Sequence, residues 1–141
     1  MASGIYAATL VDVLDATGLA VDWTSTSNKV ALYTASRAPN LLTDTAYTAT
    51  NEVSSAGYTA GGLAVVTPTL VASGSPLKII YDQADPSWTG VSFTARYADL
   101  YADALAGNNL MYSIDFGADF VVVSNTFTLV LDSLGLWQLN L

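Results

Sequence analysis

The chain has 141 residues, of which 52% are hydrophobic and only 11% are charged, and 12 acidic residues against 4 basic ones give a formal net charge of −8. Because nucleic acid and anionic membranes both bind clustered Lys and Arg, this balance excludes them as partners. The length predicts a single domain, residues 1–141, with a core of its own. The absence of Cys and His excludes a disulfide framework, a thiolate metal site and a histidine base.

The N-terminal segment, residues 1–18, predicts one short amphipathic helix. Ser3 is a suitable N-cap, and Gly18 is a suitable stop after the last turn. Between them, side chains suited to a helix face recur at helical spacing: Tyr6, Leu10, Val13, Leu14 and Thr17. This segment lacks a basic region and contains acidic residues, so we expect no signal peptide.

Residues 19–141 predict short strands and turns. Alternating or strand-like patterns cover residues 28–39, 62–72, 77–82, 87–101, 113–120, 127–131 and 136–139. Pro68 places its strand at a sheet edge or a bulge. Residues 97–105 also fit helical spacing, but the period of two from 91 to 97 favours a strand. Turn signals about every dozen residues predict an antiparallel β-sandwich or jelly-roll-like domain.

The segment 40–61 predicts a long ordered loop, with one helical turn capped by Asp44. It ends in TNEVSSAGYTAGG, residues 50–62, which could be a phosphate loop, a sugar-binding edge or an elbow between strands. The Lys and the glycine spacing of phosphate loops are missing, and the net charge opposes a phosphate. We therefore predict an elbow in which polar side chains hold a turn, glycines supply positive φ, and a tyrosine packs it down. Its residues, which we also expect to contact another protein, are Asn51, Glu52, Gly57, Tyr58, Gly61 and Gly62.

Acidic residues are the main candidates for chemistry. A carboxylate enzyme needs two acids in one cleft, and the candidate pairs are Asp82 with Asp85, Asp99 with Asp103, and Asp115 with Asp119. All lie at turns or strand ends, where Asp is favoured for local hydrogen bonds, so a structural role is the stronger interpretation. Calcium at Asp115, Gly117 and Asp119 is a weaker alternative, since no D-x-D-x-D-G loop is present. We predict no catalytic residue, no cofactor and no metal site.

The order of these segments resembles a family of small structural virion proteins of tailed bacteriophages, encoded among the head genes. The most specific stretches are NEVSSAGYTAGG and VSFTARYADLY, and NKVALYTAS and SIDFGADF fit the same order. LVASGSPLKIIYDQADPSW is more apolar than the family pattern, and LDSLGLWQLNL is less polar. The resemblance implies a structural role without catalysis, with capsid decoration (cement) as the leading assignment. It also implies synthesis in the host cytoplasm, a place on the capsid exterior and the major capsid protein as partner.

The low charge also predicts self-association, because large exposed apolar patches usually mark partner surfaces. We expect a homo-oligomer, and a trimer by analogy with decoration proteins at three-fold positions. Tyr6, Leu10 and Leu14 on the helix are the first candidates for contact, together with the elbow. The alternative is a tail or fibre module that recognises a host surface through aromatic side chains at its loop tips. A sugar groove of Trp and Tyr is less favoured, since most of these rings occupy strand positions.

Overall fold

The computed structural model describes residues 3–14 and 20–141. As predicted, the protein is mainly β: of the described residues 46% lie in strands and 8% in helices, they form two antiparallel sheets and one short α-helix, and the fold is compatible with a β-sandwich. The strands are β1 (Gly4–Ile5), β2 (Lys29–Tyr33), β3 (Leu63–Ala64), β4 (Thr69–Ser73), β5 (Lys78–Asp82), β6 (Ser87–Ala102), β7 (Asn109–Thr128) and β8 (Trp137–Asn140). Helix α1 spans Ala7–Leu14, and a short 3-10 helix spans Ala35–Arg37.

A long antiparallel pair, β6 and β7, forms the centre of the larger sheet, whose strand order is β1-β7-β6-β2-β3. The pair runs from Ser87 opposite Thr128 to Ala102 opposite Asn109. The smaller sheet has the order β4-β5-β8. The strand predicted over 87–101 is thus confirmed, including its ambiguous end.

Alternation along the strands divides the interior into two apolar clusters. On β2, Val30 and Leu32 belong to the main cluster, whereas Ala31 and Tyr33 belong to the second one. Because successive side chains of a strand point to opposite faces, the two clusters lie on opposite faces of the larger sheet. The main cluster also contains Trp23, Val53, Val65, Tyr81, Trp88, Val91, Phe93, Leu100 and Met111. The second cluster also contains Tyr6, Tyr97, Tyr101 and Leu110.

The helix differs from the prediction at its start. Gly4 and Ile5 pair with Ser113 and Tyr112 of β7 as strand β1, so α1 begins only at Ala7. Ser3 is therefore not its N-cap, and the Ser3 Oγ instead accepts a hydrogen bond from the Asp115 N–H at 2.8 Å. The predicted stop at Gly18 lies outside the described residues.

Two of the predicted strands differ in the structure. The segment 62–72 divides at Pro68 into β3 and β4, which lie at edges of different sheets, as the proline rule requires. The segments 113–120 and 127–131 do not form separate strands, because β7 runs continuously to Thr128. Gly117 and Ser124 have φ of 78° and 47° and coincide with register shifts against β6. These residues form bulges within one strand rather than turns between two.

The helical turn predicted near Asp44 is also organised differently. Residues 41–43 form a turn, and the Asn40 Oδ1 accepts hydrogen bonds from the N–H groups of Leu42 and Thr43 at 3.0 and 3.3 Å. Asn40 is therefore the residue that caps this turn. The Asp44 Oδ2 accepts the Asn40 N–H at 3.0 Å and so closes the same loop from its other end.

Candidate functional site

The predicted elbow is organised around the carboxylate of Glu52. One oxygen, Oε1, accepts hydrogen bonds from the Tyr58 hydroxyl at 2.6 Å and from the Gly61 N–H at 2.7 Å. The other, Oε2, accepts one from the Tyr47 hydroxyl at 2.6 Å. Burial, reinforced by the Glu52 carboxylate, raises the pKa of both tyrosines above the ordinary value, so both hydroxyls remain protonated donors. One acid therefore fixes three points of the loop.

The backbone of the elbow has the left-handed conformations that its composition predicts. Gly57, Gly61 and Gly62 have φ of 82°, 89° and 78°, and Asn51 has φ of 66°. The Asn51 Nδ2 donates to the Ser36 carbonyl at 3.0 Å. A Cβ on Gly62 would lie 1.8 Å from the Val30 carbonyl oxygen. Close approach of two backbones, as well as positive φ, therefore requires glycine here.

Most of the elbow faces the protein interior. The Tyr58 ring stacks on Trp88 with the ring centroids 6.3 Å apart, and its hydroxyl accepts the Leu32 N–H at 3.0 Å. Gly61 is buried, and Glu52, Tyr58 and Gly62 are half-buried. Of the six elbow residues predicted to contact a partner, only Asn51 and Gly57 are exposed. The elbow is an internal support, with a small outer rim available for contact.

The other predicted contact residues, at and before the helix, differ in their exposure. Tyr6 was predicted to contact a partner. It is 0% exposed, so its side chain is not available at the surface. It precedes α1 and is held against β7, where its N–H donates to the Met111 carbonyl at 3.1 Å. Leu10 and Leu14 are exposed, and Leu14 is 75% exposed. Val11 and Val13 are exposed as well, and the sequence pattern did not single them out as contacts.

A buried ion pair lies among residues of the second apolar cluster, in contact with Tyr33 and Tyr6. The Arg37 Nη2 is 3.1 Å from the Asp99 Oδ2, and the Arg37 Nη1 is 2.8 Å from the Asp44 Oδ2. The Asp99 side chain is fully buried, and this burial raises its pKa although Arg37 opposes the shift. Arg37 also lies over the Tyr33 ring, 5.3 Å from its centroid. Sequence reasoning missed this pair, because nothing local links residues 62 positions apart.

The far half of β7 borders an open apolar groove of about 330 Å³. We call it the phenylalanine groove, and it is lined by Ile114, Phe116, Phe120, Phe127, Thr128, Leu129 and Val130. The Phe116 ring lies 5.9 Å from Phe120 and 6.0 Å from Phe127, between centroids. None of the lining residues is charged, so the groove suits an apolar protein surface. Residues 113–120 and 127–131 were predicted as strands, but not as a shared groove.

The acids considered as catalytic pairs are engaged in local contacts. The Asp82 Oδ1 accepts the Gln83 N–H at 2.9 Å, and the Asp85 Oδ1 accepts the Leu131 N–H at 2.8 Å. Asp99 pairs with Arg37, whereas Asp103 pairs with Lys29 at 2.9 Å. These contacts support the structural interpretation of both pairs.

The calcium alternative receives no support from the geometry. The Asp115 Oδ1 accepts hydrogen bonds from the Arg96 Nε and from the Gly117 N–H, each at 2.8 Å. This oxygen is therefore already engaged by donors. Across residues 3–14 and 20–141, no group of three or more acidic side chains is placed to hold a metal ion.

Comparison of the chain with protein-family models, with curated proteins and with solved structures finds no match. None of the helices in the described residues has the length and apolar character needed to cross a membrane. Apolar side chains on α1 and around the phenylalanine groove are exposed, among them Leu14, Phe120 and Val130.

Proposed function

We propose that this protein is a structural virion protein of a tailed bacteriophage, a capsid decoration (cement) protein that binds the outer shell. Its partners are the major capsid protein and other copies of itself, in a trimer on the capsid exterior. It is made in the host cytoplasm and catalyses nothing. The observation that carries the proposal is the amount of apolar side chain left outside both internal clusters.

These exposed apolar side chains occur on several elements. They are Leu10, Val11, Val13, Leu14, Leu42, Val66, Leu70, Val71, Leu77, Phe120, Val121, Val123, Val130, Leu134, Leu139 and Leu141. Covering apolar surface contributes about 25 cal/mol per Å², and large exposed patches usually mark protein contacts. A shell protein of low charge has this surface because its neighbours cover it.

The basic residues support a contact that does not depend on ion pairs. All four already have partners within the chain: Lys29 pairs with Asp103, Arg37 with Asp44 and Asp99, Arg96 with Asp115, and Lys78 Nζ bonds to Gln138 Oε1. A partner that used them would first have to break these contacts. Apolar and backbone contacts are therefore expected to dominate the attachment to the shell.

The alternative function, a tail or fibre module for host recognition, receives less support. It predicts aromatic rings at loop tips, but Trp23 and Trp88 are buried. Trp137 is half-buried and packs against Trp23, with centroids 5.1 Å apart. These indoles help to build the protein interior instead of a recognition surface.

Binding to purified shells that lack the protein tests the proposal. We expect the purified protein to co-sediment with such shells, with an affinity that falls less than about threefold from low to moderately high salt, because screening weakens charge contacts far more than apolar ones. Isolated tails are the matched control and should not bind. Binding to tails but not to shells would favour the fibre alternative, and a steep loss of shell binding in salt would contradict apolar attachment.

A further inference from the structure

A cleft of about 440 Å³ opens beside strand β3, and we infer that it binds an extended segment of another protein, which pairs with the free edge of β3. We call it the β3 cleft, and it is lined by Leu63, Ala64, Val65, Val66, Gln83, Ala84, Asp85, Pro86 and Ser87. Its volume lies in the usual range of ligand sites, about 300–1,000 Å³. The inference goes beyond the proposed function and does not depend on attachment to a shell.

The backbone of Ala64 is open to this cleft. Strand β3 is the last strand of the larger sheet and pairs with β2. Ala64 lies opposite Lys29, and the Val65 N–H donates to the Asn28 carbonyl at 2.8 Å. In an antiparallel ladder this bond makes Ala64 and Lys29 a non-hydrogen-bonded pair, so the N–H and C=O of Ala64 point away from β2. Within the described residues, neither group has a hydrogen-bond partner.

The chain itself already pairs with this edge, one step further along. Val66 also points away from β2, and its carbonyl accepts the Ala84 N–H at 2.9 Å. Alternation makes Pro86 the next residue of that segment to face β3, but proline has no N–H to donate. The Pro86 carbonyl instead accepts the Leu129 N–H at 2.9 Å. The pairing therefore stops before Ala64, and a bound segment would continue the ladder that Ala84 begins.

Gln83 provides a side-chain donor in the same cleft. The residue is only 7% exposed, and its Oε1 accepts the Tyr81 hydroxyl at 2.8 Å. This bond fixes the amide, and the Nε2 group has no hydrogen-bond partner within the described residues. Because buried amide groups normally find a partner, the carbonyl of a bound segment is a suitable acceptor for it.

The lining indicates which kind of segment fits. An extended backbone presents a C=O and an N–H with the spacing that both groups of Ala64 require, which is the basis of recognition by strand addition. Leu63 and Val65 provide apolar walls, and Asp85 is the only charged residue of the lining. An acidic or phosphorylated segment would find no cation in the cleft, whereas a basic side chain would find Asp85. The cleft therefore suits a neutral or basic segment.

Selection of random heptapeptides on the immobilised protein tests the inference. We expect enriched peptides to shift the backbone amide resonances of Ala64 and Val66 in NMR spectra. Ala64→Pro should weaken their binding at least about fivefold, because it removes one backbone hydrogen bond. The variant should still fold, since proline is tolerated at an edge strand when its nitrogen faces away from the neighbouring strand. Ala64→Ser is the matched control, because it keeps the N–H, and its affinity should stay within about twofold of wild type.

Changing the peptide instead of the protein separates a lost contact from a misfolded variant. N-methylation of the peptide backbone keeps the side chains but removes the N–H groups that would donate to the Ala64 carbonyl, and it should also weaken binding at least about fivefold. Equal binding of the methylated peptides, or of all peptides to a folded Ala64→Pro variant, would overturn pairing with β3. A library that yields no enriched peptide would overturn the site itself. A peptide that dissociates an oligomer of the wild-type protein would overturn the assignment to another protein, and would place a second copy in the cleft.

Discussion

Replacing Gly62 with alanine should destabilise the fold by about 4 kcal/mol or more, at the upper end of single substitutions. Its Cβ would lie 1.8 Å from the Val30 carbonyl oxygen and 2.7 Å from the Ala31 Cα. Both are backbone atoms of β2, so no side-chain rotation relieves the clash, and β2 or the elbow must move. Urea denaturation of the purified variant measures the change in the free energy of unfolding.

Two other glycines separate the effect of the clash from that of positive φ. A Cβ on Gly61 would lie 3.2 Å from the Tyr101 hydroxyl, and a Cβ on Gly90 would meet nothing within 4 Å. Because the left-handed conformation costs an L-residue roughly 1–2 kcal/mol, Gly90→Ala should show that cost alone, and Gly61→Ala slightly more. Equal losses at Gly62 and Gly90 would mean that the close approach to β2 does not constrain the elbow.

The second large effect is expected at the buried ion pair. Asp99→Asn keeps the side-chain volume but leaves the Arg37 charge with only Asp44 as its acidic partner. This loss should lower the free energy of unfolding by about 3 kcal/mol. Asp103→Asn is the matched control, since Lys29 and Asp103 are about one-third exposed, at 34% and 36%, and such pairs contribute about 0–1 kcal/mol. Thermal and urea unfolding of both variants measure the difference.

A double variant tests the physical reason for that loss. Arg37→Met in the Asp99→Asn background removes the charge that has lost its buried partner, so it should recover part of the lost stability. If the double variant is less stable than both Asp99→Asn and Arg37→Met, the hydrogen bonds of Arg37 to Asp44 and Tyr6 contribute more to stability than removal of its charge recovers. If Asp99→Asn alone changes stability by less than the Asp103→Asn control, the buried pair is not a stabilising element.

Much of the fold follows from local pattern. Period-two alternation located β6, whose first half alternates between exposed and buried residues, whereas β2 is buried on both faces and was located by its run of apolar residues. The elbow followed from composition, since glycines next to Asn51 and Glu52 indicate a turn held by side-chain hydrogen bonds. What local pattern could not provide was pairing between distant segments. The short β1 exists only because Gly4 and Ile5 meet β7, and that pairing moved the start of the helix from Ser3 to Ala7.

The candidate site was predictable to a smaller extent for the same reason. Leu10 and Leu14 were identified from helical spacing, but the same spacing included Tyr6, which is buried because it precedes the helix and packs on β7. The phenylalanine groove joins Phe116 and Phe127, which are separated along β7 by the left-handed residues Gly117 and Ser124 and by two shifts in its register against β6. The alternation along a strand predicts which face of the sheet each ring lies on, but not that two rings far apart on the strand are in contact.

Heating virions with and without the protein, and following genome release, tests the central claim most directly. A protein that ties shell subunits together adds binding free energy that must be lost before the shell opens, and each 1.4 kcal/mol changes that local equilibrium about tenfold. We expect virions without the protein to release their genome at a lower temperature, and added wild-type protein to restore the higher one. Equal release temperatures, with the protein located on the tail by electron cryomicroscopy, would contradict a role as capsid cement.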